Sequence, residues 1–196
     1  MQIEYLNEIY AEEVARLHSC GITTGFLSSL GPKFLAALYK ALAQNENAFG
    51  FVGCENEQVL GYIAFTDNLS RLYKTVLKQN IFRFSIIVAL KMLRLSRIKK
   101  VFQVLLYPGK TQKLDLPASE LLAIVIADHA RGLGLATKLI QAGLEECKKR
   151  NIDRVKVLVA VDNQPANQLY LKIGFQRVSS ILSHNIPSNI YVKSLL

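Results

Sequence analysis

Cysteine and histidine are scarce in this chain of 196 residues, and acidic residues are missing from one long stretch. The three cysteines, Cys20, Cys54 and Cys147, are odd in number and far apart. They do not form a disulfide framework and read as thiols of a reduced compartment. The three scattered histidines add too little for a structural site, so no metal is expected. No apolar run approaches the roughly 20 residues that span a bilayer. The longest, Phe84 to Leu90, is closed off by Arg83 and Lys91. The opening stretch MQIEYLNEIYAEE is acidic and lacks the apolar core of an export signal. A soluble, cytoplasmic protein is the expectation. No repeat or linker interrupts the chain, and its apolar content supports one packed core. Residues 1–196 are therefore expected to form a single α/β domain.

The missing acids localise the charge. Between Asp67 and Asp115 there is no Asp or Glu, while eleven Lys and Arg occur there. That segment carries +11 in a chain of net charge +9, so the remainder sums to −2. The basicity belongs to an insertion at about residues 70–115. Within it, Leu90, Leu93 and Ile98 fall at helical spacing, and Lys91, Arg94 and Arg97 recur every three residues. Two or three amphipathic helices are predicted from Ser70 to Tyr107, ended by Pro108-Gly109.

Around the insertion, the pattern predicts an ordered series of strands and helices. Gln2 to Leu6 reads as a strand and Glu8 to His18 as a helix capped by Asn7. Ser19 to Gly31 is loop-rich, and Pro32 opens a helix that runs to Ala43. Ala48 to Cys54 and Gln58 to Thr66 are strands joined by Glu55-Asn56-Glu57. Glu120 to Ile126 is an apolar strand, Ala127 to Arg131 a polar break, and Gly132 opens a helix to about Lys149. Arg154 to Val161 is another strand. Asp162-Asn163 caps a helix that holds Pro165 and ends before Gly174. Phe175 to Leu182 and Ile190 to Leu195 close the chain as strands joined by SHNIPSN.

The stretch SELLAIVIADHARGLGLATKLI, residues 119–140, organises the rest. A strand that stops at glycines and becomes a helix aims free backbone N–H groups at one point. The helix dipole adds roughly half a positive charge there. That is a main-chain phosphate site, and Gly132 and Gly134 let the backbone approach closely.

These motifs make the chain resemble the GNAT superfamily of acetyl-CoA-dependent N-acetyltransferases. The family signature Gln or Arg, two residues, Gly, one residue, Gly or Ala is met by Arg131, Gly134 and Ala136. A second signature, Asn-x-x-Ala-x-x-x-Tyr followed by Gly-Phe, is met by Asn163, Ala166, Tyr170, Gly174 and Phe175. The resemblance covers nearly the whole chain apart from the insertion. It implies the GNAT fold, a mixed, mostly antiparallel central sheet with flanking helices, here with an inserted basic helical segment. It implies acetyl-CoA as co-substrate. The amides of Arg131, Gly132, Leu133, Gly134, Leu135, Ala136 and Thr137 would hold its pyrophosphate. The backbone of Ile124, Val125 and Ile126 would line its pantetheine arm, on a strand that splays from the next one. Asn163 would contact the cofactor, cap the helix, or do both.

The resemblance also implies catalytic residues. Tyr170 would be the general acid that protonates the leaving CoA thiolate; its bland alternative is a core tyrosine under the sheet. The attacking amine must be neutral, so a base is useful. Glu120 is the candidate, by the position of a catalytic Glu in histone-type members, against a solvated edge carboxylate. Asp128 and His129 are weaker candidates on a loop tip. The expected reaction is direct transfer to a primary amine in a ternary complex, since none of the cysteines matches a family nucleophile. The expected acceptor is a small-molecule amine, an amino sugar or another phosphate-bearing amine. A protein N-terminus or lysine stays open, as does a non-catalytic acyl-CoA-binding or membrane-docked module. The insertion reads as a solvated helical face, as a lure for an anionic acceptor, or as a contact with an anionic membrane surface that would make the protein membrane-peripheral. Nucleic acid is disfavoured, because no binding motif accompanies the charge.

Overall fold

A computed structural model describes residues 1–23, 26–75, 115–183 and 186–195. Strand β1 is Gln2–Tyr5. Asn7 then accepts the Ile9 N–H at 2.9 Å and starts a tight 3-10 turn, Glu8–Tyr10. Helix α1 follows only at Ala11–Gly21. The helix expected from Glu8 thus opens as a 3-10 turn and runs three residues past His18. Within this last turn the Ser19 hydroxyl donates to the Ala15 carbonyl one turn back, at 2.9 Å, so its polar group is satisfied inside the helix. The loop expected up to Gly31 also holds a one-turn helix, α2 (Phe26–Ser29). Gly31, at φ 88°, and Pro32 then launch α3 (Pro32–Ala43).

Strands β2 (Ala48–Glu55) and β3 (Gln58–Thr66) close through Asn56 and Glu57, at φ 49° and 64°. These are the left-handed values of a tight hairpin turn, so Glu55 belongs to the strand and not to the connection. Residues 69–75 are helical, with Leu69 and Leu72 buried. The amphipathic helices expected beyond residue 75, and with them the anionic-surface readings, lie outside the described residues. Among the described residues no helix is long and apolar enough to cross a membrane.

Strand β4 (Glu120–Ile126) leads through a 3-10 turn at Asp128–Ala130 into α4 (Leu135–Lys149). This helix starts three residues later than expected, because Gly132 and Gly134, at φ 79° and 78°, leave the right-handed region and complete a bend first. Strand β5 (Arg154–Ala160), helix α5 (Gln164–Lys172), and strands β6 (Gln176–Ser183) and β7 (Ile186–Ser194) finish the chain. β7 begins earlier than expected, and Pro187 sits near its start, where a missing N–H costs least.

The seven strands form one sheet in the order β1-β2-β3-β4-β5-β7-β6. Every neighbour is antiparallel except β4 and β5. Side-chain alternation sorts the core into two layers. On one face, Val52, Tyr62 and Ala64 pack against α1 and α3 through Val14, Leu35 and Tyr39. On the other, Ile63, Phe65 and Val157 pack against α4 and α5 through Leu139, Ile140 and Tyr170. A polar knot pins the first layer. His18 Nδ1 lies 2.6 Å from the Tyr39 hydroxyl and 2.9 Å from that of Tyr62, and the two hydroxyls are 2.7 Å apart. Burial pushes His18 down to about 4, so it sits there neutral.

Candidate active site

The one parallel pair in the sheet barely forms. β4 and β5 pair only at Glu120–Lys156 and Leu121–Val157. β4 stays paired with β3 as far as Ile126–Gly61. From Leu122 onward, therefore, the β5-facing edge of β4 has no strand partner among the described residues. A bulge marks the point of divergence: Ala123 opposes Ala64 and Leu121 opposes Phe65, so Leu122 is an extra residue. At the far end, Ala127 donates its N–H to the Leu60 carbonyl on β3 at 2.8 Å. Main-chain groups alternate along a strand, so those of Val125 also face β3, while those of Ile124 and Ile126 face the open side. The Val125 side chain is buried with the α1–α3 layer.

Where the open edge ends, the glycine bend begins. The first intrahelical bond of α4 is Lys138 N–H to Gly134 O, at 3.2 Å. The N–H groups of Leu135, Ala136 and Thr137 lie ahead of it, and no side chain caps them. A Cβ built on Gly132 or Gly134 would meet nothing within 4 Å, so the space over the bend is clear. Leu135 turns its side chain into the core, so it can offer a ligand only main chain at this turn, while Leu133 is exposed. The Arg131 guanidinium is paired with Asp128 at 2.8 Å on the surface.

Tyr170 approaches from α5. The spacing of the second signature has a local physical cause. Gly174, at φ 90°, lets the Phe175 N–H reach the Tyr170 carbonyl at 2.9 Å and its own N–H reach the Leu171 carbonyl at 3.0 Å. This paired closure needs a left-handed residue directly after the helix cap. It also sets the Phe175 ring edge-on to Tyr170, with centroids 5.3 Å apart. Tyr170 is 2% exposed, and its hydroxyl makes no hydrogen bond to another described residue. Burial holds its proton firmly, well above the usual phenol range. Asn163 accepts the Ala166 N–H at 3.2 Å and is the cap of α5.

Glu120 lies at the closed root of the β4–β5 opening. It is 8% exposed, so it is not a solvated edge carboxylate. Lys156, its register partner, brings Nζ to 3.5 Å from Oε2. That ammonium donates to the Pro117 carbonyl. Glu120 Oε2 is left buried with no hydrogen-bond partner among the described residues. Burial pushes the carboxyl up to about 7 against the pull of Lys156, and burial lowers Lys156 in turn. Tyr73 is raised by burial and by the Glu120 charge. Lys156 was not among the expected site residues, although a cation in the interior of the apolar strand RVKVLVAV was a visible signal. Asn167, a buried polar residue on the inner face of α5, was not among them either.

Two of the three cysteines are buried, and Cys20 is exposed. Burial pushes Cys147 up to about 12 and raises Cys54 as well, so neither readily forms a thiolate. Among the described residues no three His, Cys, Asp or Glu group as metal ligands.

A family model described as the acetyltransferase (GNAT) family matches residues 12–175. Over 62 residues the chain is 37% identical to a mycothiol acetyltransferase of Corynebacterium aurimucosum, a match covering 31% of this chain and 20% of that enzyme. Over 54 residues it is 39% identical to N-alpha-acetyltransferase 30 of Schizosaccharomyces pombe, covering 28% of this chain and 36% of that one. These matches thus span a fifth to about a third of the curated relatives. In fold, the chain is similar to the Salmonella typhimurium protein yncA, solved with its cofactor acetyl-CoA. The TM-score is 0.63 at 13% identity, over 100% of this chain and 94% of that one.

Proposed function

The chain belongs to the acetyltransferase (GNAT) family, and on that footing we propose that it moves an acetyl group from acetyl-CoA to a primary amine by direct transfer in a ternary complex. One observation carries the reading. The β4–β5 ladder stops after two pairs, and the edge it frees runs into an uncapped helix start under two open glycines. A long thiol ester with a pyrophosphate at one end fits that shape. Residues 131–137 hold the pyrophosphate through main-chain N–H groups, and Ile124 and Ile126 offer the pantetheine arm the edge that β5 has left, with Val125 as the residue between them. Asn163 sits beside this path as the helix cap.

Each chemical task then has a residue. Glu120 accepts a proton from the incoming ammonium, directly or through water, so that the amine attacks neutral. Its lifted proton affinity suits a base working near neutral pH. The new C–N bond forms as the thioester C–S bond breaks. Tyr170 delivers its proton to the departing sulfur and regains one that the new amide nitrogen sheds, directly or through water. The buried, proton-holding thiols Cys54 and Cys147 argue against an acyl-enzyme.

The acceptor we favour is a small amine, an amino sugar or another phosphate-bearing amine. The similarity to a mycothiol acetyltransferase supports a small-molecule acceptor. The similarity to an N-alpha-acetyltransferase supports the second reading, a protein N-terminus. Initial rates with both substrates varied test the mechanism. Intersecting double-reciprocal lines are expected for a ternary complex. Parallel lines would mean a covalent acetyl-enzyme and would refute direct transfer.

A further inference from the structure

Asn167 stands three residues ahead of Tyr170, on the same face of α5. Its side-chain amide is fully engaged. Nδ2 donates to the Ala160 carbonyl at 2.9 Å and to the Asn163 carbonyl at 2.7 Å. Oδ1 accepts from Asn189 Nδ2 at 2.9 Å and from the Tyr191 hydroxyl at 2.7 Å. Ala160 ends β5, Asn163 caps α5, and Asn189 and Tyr191 belong to β7. The chain of bonds goes on to β6, where the Ser180 hydroxyl donates to Asn189 Oδ1 at 3.0 Å. One amide therefore locks the helix to the strands beneath it. Tyr191 also stacks obliquely on Tyr170, with centroids 6.2 Å apart. The Tyr170 hydroxyl has no hydrogen bond of its own to another described residue, so its place is set by the pose of the helix that carries it.

We propose that Asn167 is a positioning residue for transfer: it fixes the rotation and depth of α5 and so the point at which Tyr170 presents its hydroxyl. This rests on the proposed role of Tyr170 as the acid. Removing the amide leaves the Asn189 amide and the Tyr191 hydroxyl without their acceptor in a buried site, while the Ala160 and Asn163 carbonyls keep the backbone N–H groups of Asn163 and Asn167. The helix can then shift to let water in or to re-pair these groups. A displacement of about 1 Å at a reacting group is enough to cost about 100-fold in rate.

Steady-state kinetics on a mutant cycle test this. Asn167→Ala is expected to lower kcat by about 10- to 100-fold, with KM for acetyl-CoA held within about threefold. In a Tyr170→Phe background, the same change should cost less than about twofold more, because the group it positions is gone. Tyr191→Phe keeps the ring and loses one donor, so a smaller drop in the same direction is expected. If Asn167→Ala fails to fold, Tyr191→Phe alone and combined with Tyr170→Phe is judged by the same criteria. An unchanged kcat in folded Asn167→Ala, or the full loss repeated in the Tyr170→Phe background, would overturn the proposal. If Tyr170→Phe is slow and the Asn167 variant is not, only the positioning fails. If Tyr170→Phe alone runs at the wild-type rate, the acid assignment itself fails and the positioning with it.

Discussion

As the proposed base, Glu120 would have to ionise while buried, and its pH dependence follows from that conflict. Its ordinary value is 4.5, and burial lifts it to about 7 in the fold. Below 4.5 both folded and unfolded chains hold this proton. Between that point and about 7, the unfolded chain has lost the proton and the folded one keeps it. The contribution to stability is thus full below the lower value and is lost as pH rises through the upper one. In thermal melts from about pH 4 to about pH 8, wild type should lose stability relative to Glu120→Gln across this window, because the opposite slope from buried, neutral His18 is common to both chains. The rate should move the opposite way: kcat/KM is expected to climb as the carboxylate forms, and Glu120→Gln should flatten this limb. An ordinary alkyl amine titrates near ~10, so its own limb lies higher and separates from that of Glu120. For Tyr170, loss of the acid hydroxyl in Tyr170→Phe is expected to lower kcat by about 100-fold or more, with acetyl-CoA affinity unchanged, as measured by steady-state rates and calorimetry.

At the scale of elements, the glycines divide into those that serve the site and those that serve packing. Gly134 is left-handed with clear space above it. Gly134→Ala should cost roughly 1–2 kcal/mol of backbone strain and fill room the phosphate needs, so KM for acetyl-CoA should rise about tenfold or more. Gly143 faces inward on α4, where a Cβ would collide with the Phe65 ring. Gly143→Ala is expected to lower the melting temperature by about 2–10 °C through overpacking and to leave that KM within about twofold. The contrast also shows which features could be read from sequence. The Gly174-Phe175 closure of α5 is local, so a fixed spacing in the chain announced it. The bulge at Leu122 and the early parting of β4 from β5 are set by pairing with distant strands, and nothing in the uniform run ELLAIVI separates Leu122 from its neighbours. Lys156 was visible as a stray charge, but its partner was not, because the pairing crosses 36 residues from Glu120. The role of Asn167 depends on β7, whose partners lie 22 and 24 residues away.

For the whole molecule, the two-layer plan puts the proposed acid and base on opposite sides of one opening. Tyr170 belongs to the α4–α5 layer. Alternation along β4 turns Glu120 away from the face of Leu121, toward the α1–α3 side. In the proposed reaction the β4–β5 gap is where the two faces would meet, since the ladder between these strands stops after two pairs. The order of the strands and longer helices was readable from periodicity together with Pro, Gly and Asn punctuation, whereas the one-turn helix α2 inside the expected loop was not. The acceptor was not readable either, since acceptor pockets are generally built from loops, which carry no periodicity. The most direct test of acetyl transfer is amine-dependent CoA release by the full chain, across amino sugars, phosphate-bearing amines, N-terminal peptides and lysine peptides. The expected result is release that saturates with at least one amine and with acetyl-CoA. Tight acetyl-CoA binding with no amine-dependent release across the panel would contradict it and leave a fold that holds the thioester without using it.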